Sequence, residues 1–395
     1  MKKGFIVILL LMSCNNVNHN NTNVSREIYS VEETDSVKKL NIDEKTNMYS
    51  NSVHYFEDFD HKEYLTLENI EYDPLYGVIH FYDINTCKLI KTVKVNYEGT
   101  DVVTGFSGHG VINSNEIMVS SDEINCFYKL DADGKILHRY PFDDKYLGME
   151  YLSLNNTPLI CKKGKFYINL AIPLSRWNDS ESGDNFSFSD CPLALSVDTA
   201  TGIFEPVKLH YPELFPKNGN LSHNEEFSNL YDGEKFIYSF ATSNNILVSN
   251  DLDNAKEYYA GSKFISKIEN DGINKDLPID QAEKYFLTEA RYGNIIYDKY
   301  RKVYYRFCHF KDEKVVNNNN KLPKEYFLCQ GDFSIIVLDS ALHLAGETKF
   351  LRGKYVPKIV FVDKEGLWLC ENNYERNDIQ EDIMQFKCLK LKSMQ

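Results

Sequence analysis

One pattern recurs along the chain and limits what it can fold into: an alternating apolar run, an aspartate, two to four turn residues, then a second alternating run. It reads "VIHFYDINTCKLIKTVKV", "CFYKLDADGKILHRYPF", "LALSVDTATGIFEPVKL" and "SIIVLDSALHLAGETKF". Period-two alternation puts apolar side chains on one face of a strand, and an Asp at a turn accepts hydrogen bonds from the turn's own backbone. Each segment is therefore a β-hairpin, with Asp83, Asp131, Asp198 and Asp339 as the turn acceptors. Gly134 and Gly202 supply turn conformations that other residues resist. Looser hairpins follow at "NILVSNDLDNAKEYYAG", "NIIYDKYRKVYYRFCHF" and "KIVFVDKEGLWLCEN". Helical periodicity is nearly absent. "PIDQAEKYFLTEA", from Pro278 to Ala290, predicts one short helix, and Pro212 to Phe215 a single turn.

Pairs of hairpins make four-stranded units near 53–95, 105–142, 151–212, 227–262, 288–351 and 355–392. Many short strands with turn signals point to an all-β fold, a sandwich, a barrel or a propeller, and units of this length make a β-propeller of six blades the expected one. Seven blades would follow if the 263–287 connector hides strands. Two polar stretches, "SRWNDSESGDNFSFSDCP" and "KDEKVVNNNNKLPKEYF", read as insertions in the third and fifth units. The last unit is one strand short, while "SVHYFEDF" near residue 51 is a lone alternating strand. If that N-terminal strand completes the last blade, the ring closes and an open edge disappears.

The N-terminus has the layout of a secretory signal: Lys2 and Lys3, an apolar segment from Phe5 to Met12, then Ser13 before Cys14. The apolar segment is too short to span a bilayer, which takes about 20 residues. "LMSC" resembles a lipobox, so Cys14 is expected to become the first mature residue and carry the lipid that holds the protein to a membrane. Asn15 is not the aspartate of an inner-membrane retention signal, which favours the outer membrane, facing periplasm or exterior. "NNVNHNNTNVS" opens a polar region that reads as tether to about Ser50. The expected division is a signal peptide at 1–13, a tether at 14–50 and a propeller at 51–395.

With this start, and with "YGVIHFYDINTCKLIKTVKV" and "YGNIIYDKYRKVYYRFCHF", the chain resembles a family of lipid-anchored, six-bladed propeller-like proteins of Bacteroidetes-type bacteria whose domain has no assigned function. The resemblance implies a propeller in the cell envelope. It carries no reaction.

The formal charge of −14 repels phosphate backbones, so nucleic acid is not an expected partner. Besides Cys14 there are eight cysteines without C-x-x-C spacing, most of them in apolar strand context such as "LWLCEN", which suits buried free thiols. "GFSGHG", from Gly105 to Gly110, has the wrong spacing for a serine-hydrolase elbow and reads as the entry to the second unit's first strand, which would bring His109 near the axis. "DLDNAKEYY" and "DSESGD" fall short of a calcium loop, and no histidine pair has metal spacing. No metal or cofactor is expected.

Two function classes remain: a binding or interaction module, and a propeller hydrolase, lactonase-like or glycosidase-like, whose axial residues come from different blades and leave no local motif. Absence of a nucleophile or cofactor motif favours the first. Its candidate ligand residues are His109, Arg291, Tyr305, Arg306 and His309, with Arg176 and Trp177 on an adjacent loop. Grouped at an axial funnel, they would focus a small anionic or carbohydrate ligand; an envelope protein is the other expected partner. The competing reading of Arg306 and its tyrosine neighbours is packing between blades.

Overall fold

A computed structural model of the 395-residue chain describes residues 28–394, apart from 172–190, 213–225 and 269–277 and shorter stretches at 44–45, 51–52, 73–74, 98–101, 122–123, 125, 143–149, 153–155, 317–321, 324 and 330. Six antiparallel sheets follow one another along the chain. Blade 1 is β2 (Val53–Glu57), β3 (Glu63–Tyr72), β4 (Leu75–Asp83) and β5 (Lys88–Asn96). Blade 2 is β6 (Phe106–Asn113), β7 (Glu116–Ser121), β8 (Cys126–Asp131) and β9 (Ile136–Pro141). In blade 3 the short strands β10 (Glu150–Leu152) and β11 (Ile160–Lys162) share the first position, both pairing with β12 (Lys165–Ala171); β13 (Ala194–Asp198) and β14 (Phe204–Pro206) complete it. Blade 4 is β15 (Phe227–Tyr231), β16 (Phe236–Phe240), β17 (Asn245–Ser249) and β18 (Lys256–Tyr259). Blade 5 is β19 (Arg291–Asp298), β20 (Val303–His309), β21 (Phe333–Leu338) and β22 (Leu344–Phe350). Blade 6 contains β23 (Val356–Val362), β24 (Leu367–Cys370) and β25 (Ile383–Ser393). The strand β1 (Tyr29–Asn41) pairs with β25 and is the outermost strand of blade 6.

The turn aspartates act as their spacing predicts. Asp83 Oδ1 accepts from the backbone N–H of Asn85 and Thr86, Asp131 from Asp133 and Lys135, Asp198 from Ala200 and Thr201, and Asp339 from Ala341 and His343. All four sit between the third and fourth strands of a blade. Gly134 and Gly202 have φ of 81° and 71°, the left-handed region.

Apolar faces of neighbouring blades meet in six buried clusters, one at each of the six blade junctions. Both faces of a blade are thus covered, which is why aromatics fill them: Phe81 packs between blades 1 and 2, Phe240 between 3 and 4, and Trp368 between 6 and 1. First strands of adjacent blades also pack on each other, β15 with β19, β19 with β23, β23 with β2 and β2 with β6, which places them around the axis. The connector between blades 4 and 5 carries α1 (Ile279–Thr288), within the helix expected from Pro278. All eight described cysteines are free, six of them buried.

An N-terminal strand closes the ring, but it is not the expected one. "SVHYFEDF" contributes β2, which pairs with β3 and stays in blade 1. The closing strand is β1, inside the stretch expected to be tether, so the tether boundary at 50 is too late. Val31 is buried between blades 5 and 6, and Leu40 and Ile42 between blades 6 and 1.

Candidate functional site

Three first strands carry a register shift near their starts: β6 between Phe106 and His109, β19 between Tyr292 and Ile295, and β23 between Val356 and Val360. A bulge re-aims the side chains around it. In β19 the bulge lies at Gly293 and Asn294, directly after Arg291. Arg291 is the cross-strand partner of His309, and both are buried with only 2% exposure. Asn294 Nδ2 donates to the carbonyls of Pro357 (3.4 Å) and Lys358 (3.2 Å), tying the bulge of β19 to that of β23. A Cβ at Gly293 would lie 2.7 Å from His309 Nε2, so any other residue there would have to displace the imidazole.

The result is a cluster of basic groups inside an acidic protein. Arg291 Nη1 donates to the Phe286 carbonyl in the last turns of α1, and Nε lies 4.0 Å from a carboxylate oxygen of Glu226, just before β15. Arg291 Nη2 and His309 Nδ1 are buried without a partner. Such donors are rare in folded proteins because each has lost its water without replacement. Burial, reinforced by the positive charges of Arg291 and Lys358, holds His309 neutral well below its ordinary range. Lys358 touches solvent yet is enclosed by protein, and that enclosure, with Arg291 beside it, pulls its pKa down to about 8.

A cleft of about 720 Å³ has Ala290, which precedes Arg291, and Phe310, which follows His309, in its lining, while Arg291, His309, Lys358 and Glu226 themselves do not line it. Phe264 and Phe310 meet edge to face at 5.9 Å on its wall. Its acids are largely paired: Glu289 with Lys311 (2.6 Å), Asp332 with Lys349 (3.0 Å) and Asp312 with Arg352 (2.8 Å). The volume lies within the usual span for small-molecule sites.

Two expected ligand residues are structural. Arg306 is fully buried, and all five of its N–H donors are engaged: Nε with Ser239 Oγ, Nη1 with the carbonyls of Asn244 and Ala260, Nη2 with those of Phe240 and Ser243. Its guanidinium also stacks 3.6 Å from the Tyr292 ring. It rivets blade 5 to the loops of blade 4, so no donor remains for a ligand. Tyr305 lies in the apolar layer between blades 5 and 6 with its hydroxyl on Asp298 Oδ2 (3.2 Å).

His109 sits where blades 1 and 2 meet. Its Nδ1 is 2.9 Å from Glu68 Oε2 and its Nε2 2.8 Å from Thr66 Oγ1. The order hydroxyl, imidazole, carboxylate has the form of a nucleophile relay. However, Thr66 and His109 are both 0% exposed, and burial pushes the imidazole's pKa down to about 3. A hydroxyl that no substrate can reach is a structural bond, joining the second strand of blade 1 to the first strand of blade 2. Arg176, Trp177 and Cys14 lie outside the described residues. Among the described residues no three His, Cys, Asp or Glu side chains come together as metal ligands.

Of the expected group, then, Arg291 and His309 are brought together. Lys358 and Glu226 complete their surroundings and were missed in the sequence.

A family model described as a domain of unknown function, DUF4221, matches residues 29–349, beginning at the first residue of β1. The crystal structure of a DUF4221 member from Bacteroides vulgatus is similar over 93% of this chain and 99% of that one, with a TM-score of 0.76 and 23% identity. A putative exported protein from Bacteroides fragilis is similar over 94% and 98%, with a TM-score of 0.50 and 10% identity. No curated protein matches. At these identities the solved structures speak for the fold, a six-bladed propeller, and the family match settles membership: the chain belongs to the DUF4221 family.

Proposed function

We propose that this protein is a lipid-anchored module of the cell envelope, held at the outer membrane by Cys14, that binds a small ligand where the cleft of blade 5 meets the axial cluster. The observation that carries the binding reading is the pair of buried, unpartnered groups, Arg291 Nη2 and His309 Nδ1, on residues one position along the chain from the lining of a cleft of ligand size. A fold tolerates such groups at functional sites, where a ligand supplies the missing partners. The cations at this end of blades 5 and 6 suit holding a ligand better than hydrolysing one, because hydrolysis calls for an accessible nucleophile or a general base. Thr66 and His109 are sealed from solvent.

Anchoring rests on the sequence from Lys2 to Cys14. With β1 starting at Tyr29, the link from Cys14 is short, about 50 Å if fully extended at about 3.4 Å per residue. The propeller would then work close to the bilayer surface.

The test is a thermal-shift screen of the full chain against small organic acids, sugars, sugar acids and peptides, with each stabilising compound recovered and analysed. A compound that raises the midpoint, is recovered unchanged, and loses its effect in both Ala290→Trp and Arg291→Lys supports the reading. Consumption of the compound would make the protein an enzyme. Binding that survives both substitutions would place the site elsewhere.

A further inference from the structure

Resting on the anchoring at Cys14, we propose that the propeller docks on the bilayer with the face that carries its turns, through exposed apolar side chains of blades 1 to 3, and so presents the end with Arg291 and His309 to the aqueous phase. In an antiparallel blade the turn between the first and second strands and the turn between the third and fourth lie at one end, and the first strand starts at the other. These turns meet from blade to blade. Asp58 Oδ2 of blade 1 accepts from the backbone N–H of Ser114 in blade 2 (3.0 Å), Lys162 of blade 3 reaches the carbonyl of Asn250 in blade 4, Arg301 of blade 5 reaches the carbonyls of Asp363 and Lys364 in blade 6, and Lys299 reaches back to Glu57. The blades therefore share one turn face. Arg291, at the start of β19, and His309, at the end of β20, stand at the opposite one.

The chain enters the fold on the turn face. Ile28 donates its N–H to the carbonyl of Ala345 (2.8 Å), just past the Asp339 turn at the start of β22, and its own carbonyl accepts from Met394. Residues 15–27 are all that separates Cys14 from this point, at most about 50 Å of chain. A link that short holds the face near the lipid at an effective concentration of about a millimolar, so a weak contact is enough to orient the molecule.

Turn tips are ordinarily polar, but here Phe59 is 83% exposed and Ile203 57%, with Leu89 and Leu137 half-exposed. They belong to consecutive blades that touch: a Cβ at Gly202, beside Ile203, would lie 3.8 Å from His138 Nε2, beside Leu137, and the bond from Ser114 to Asp58 sets Phe59 at the border of blades 1 and 2. The carboxylates of Asp83, Asp131 and Asp198 are bent back onto N–H groups of their own turns, and Asp60 is paired with Lys62 (2.6 Å). Lys62, Lys88 and Lys135 are exposed among the apolar tips. Amines at that height reach lipid phosphates while Phe and Leu side chains enter the interface. A protein interface, by contrast, is depleted of charged residues at its core. Asp133 is also exposed here and the chain carries a formal charge of −14, so the surface suits zwitterionic lipid and not a strongly anionic one.

The experiment places the full lipidated chain in vesicles of phosphatidylethanolamine and phosphatidylcholine, with and without bromine on the acyl chains, and reads tryptophan quenching. Phe59→Trp, Leu137→Trp and Ile203→Trp probe the turn face; Ile124→Trp, between the second and third strands of blade 2, and Leu351→Trp, just after β22, probe the opposite one. Each is corrected for the wild-type signal of Trp177 and Trp368. Mass spectrometry establishes the lipid on Cys14 and circular dichroism the fold of each variant, and one folded variant on each face is enough. Expected is a loss of at least about half the fluorescence, with a blue shift, for the turn-face probes, and a change of less than about a tenth for the others. Equal quenching on both faces, quenching confined to positions 124 and 351, or none on vesicles that carry the lipidated protein overturns the dock and leaves the anchor. A blue shift without vesicles that grows with protein concentration assigns the face to a second copy of the chain and also overturns it. Absence of lipid on Cys14 removes anchor and dock together.

Discussion

Deleting residues 29–42 should unfold the domain or leave it marginal, whereas deleting 15–27 should leave its stability unchanged. The reasoning starts from what β1 buries. Val31, Leu40 and Ile42 have exposures of 2%, 0% and 5%, and each such side chain contributes about 1.5–3 kcal/mol relative to an exposed one. Together they amount to about 5–9 kcal/mol, against a typical domain stability of 5–15 kcal/mol. The deletion also strips the ladder from one side of β25 and leaves an open edge. Lys38 adds a buried tie, 3.4 Å from Asp363 and over the Trp368 ring. Both deletions would be made in a Cys14→Ala background and compared by urea denaturation. A gentler perturbation, Gly346→Ala, acts on the same contact, since a Cβ there would overlap the Tyr29 carbonyl and push the start of β1 away from β22. It should lower the urea midpoint while leaving the slope nearly unchanged. Equal midpoints for the two deletions would refute closure by β1.

Arg306→Met should cost about 3–5 kcal/mol in urea denaturation, because removing a buried, fully bonded cation strands the four carbonyls it held; an unchanged midpoint would deny it the riveting role. Gly293→Ala should weaken axial binding by displacing His309 and cost about 1–3 kcal/mol of stability, read by calorimetry and denaturation on the same samples. Lys358 also sets a pH dependence of stability: its folded pKa of about 8 lies below the ordinary 10.5, so the unfolded chain binds more protons between those values and stability should rise with pH across that window, by up to about 3 kcal/mol and less where solvent screens the amine. Lys358→Met should flatten that rise. Cys14→Ala should move the protein from the membrane fraction to the soluble one without changing its melting midpoint; retention after a salt wash would remove the anchor.

The blades were legible because each hairpin writes its own alternation and its own turn aspartate into a short stretch of sequence. "LALSVDTATGIFEPVKL" names its two strands and its turn without help from the rest of the chain. The strand β1 was not legible, and the reason is physical. "YSVEETDSVKKLN" is the outermost strand of its blade, with Val31 facing one neighbouring blade and Leu40 the other, and a register shift between Glu33 and Val37 interrupts it. Few buried positions split between two faces leave no alternation in any short window. Its charged residues look like tether for the same reason that they suit an exposed edge strand.

Two arginines on neighbouring strands, Arg291 and Arg306, show what the sequence withholds at the site. Alternation correctly separates Tyr305 from Tyr304 and Arg306, but it cannot say what the other blade presents to each face. For Arg306 it is the Ser239 hydroxyl and four carbonyls of blade 4, which satisfy every donor; for Arg291 it is a cluster that leaves one nitrogen unmatched. The signal that was available is of another kind. Gly108, Gly293 and Pro357 each interrupt a first strand near its start, and Gly or Pro inside a strand marks a bulge. Lys358 follows Pro357 and Arg291 lies two residues before Gly293, so the charged groups stand beside these breaks. In a ring whose first strands all converge on one axis, such breaks mark where side chains turn inward. Convergence of the strands then makes neighbours of residues 226, 291, 309 and 358, which no local motif could join.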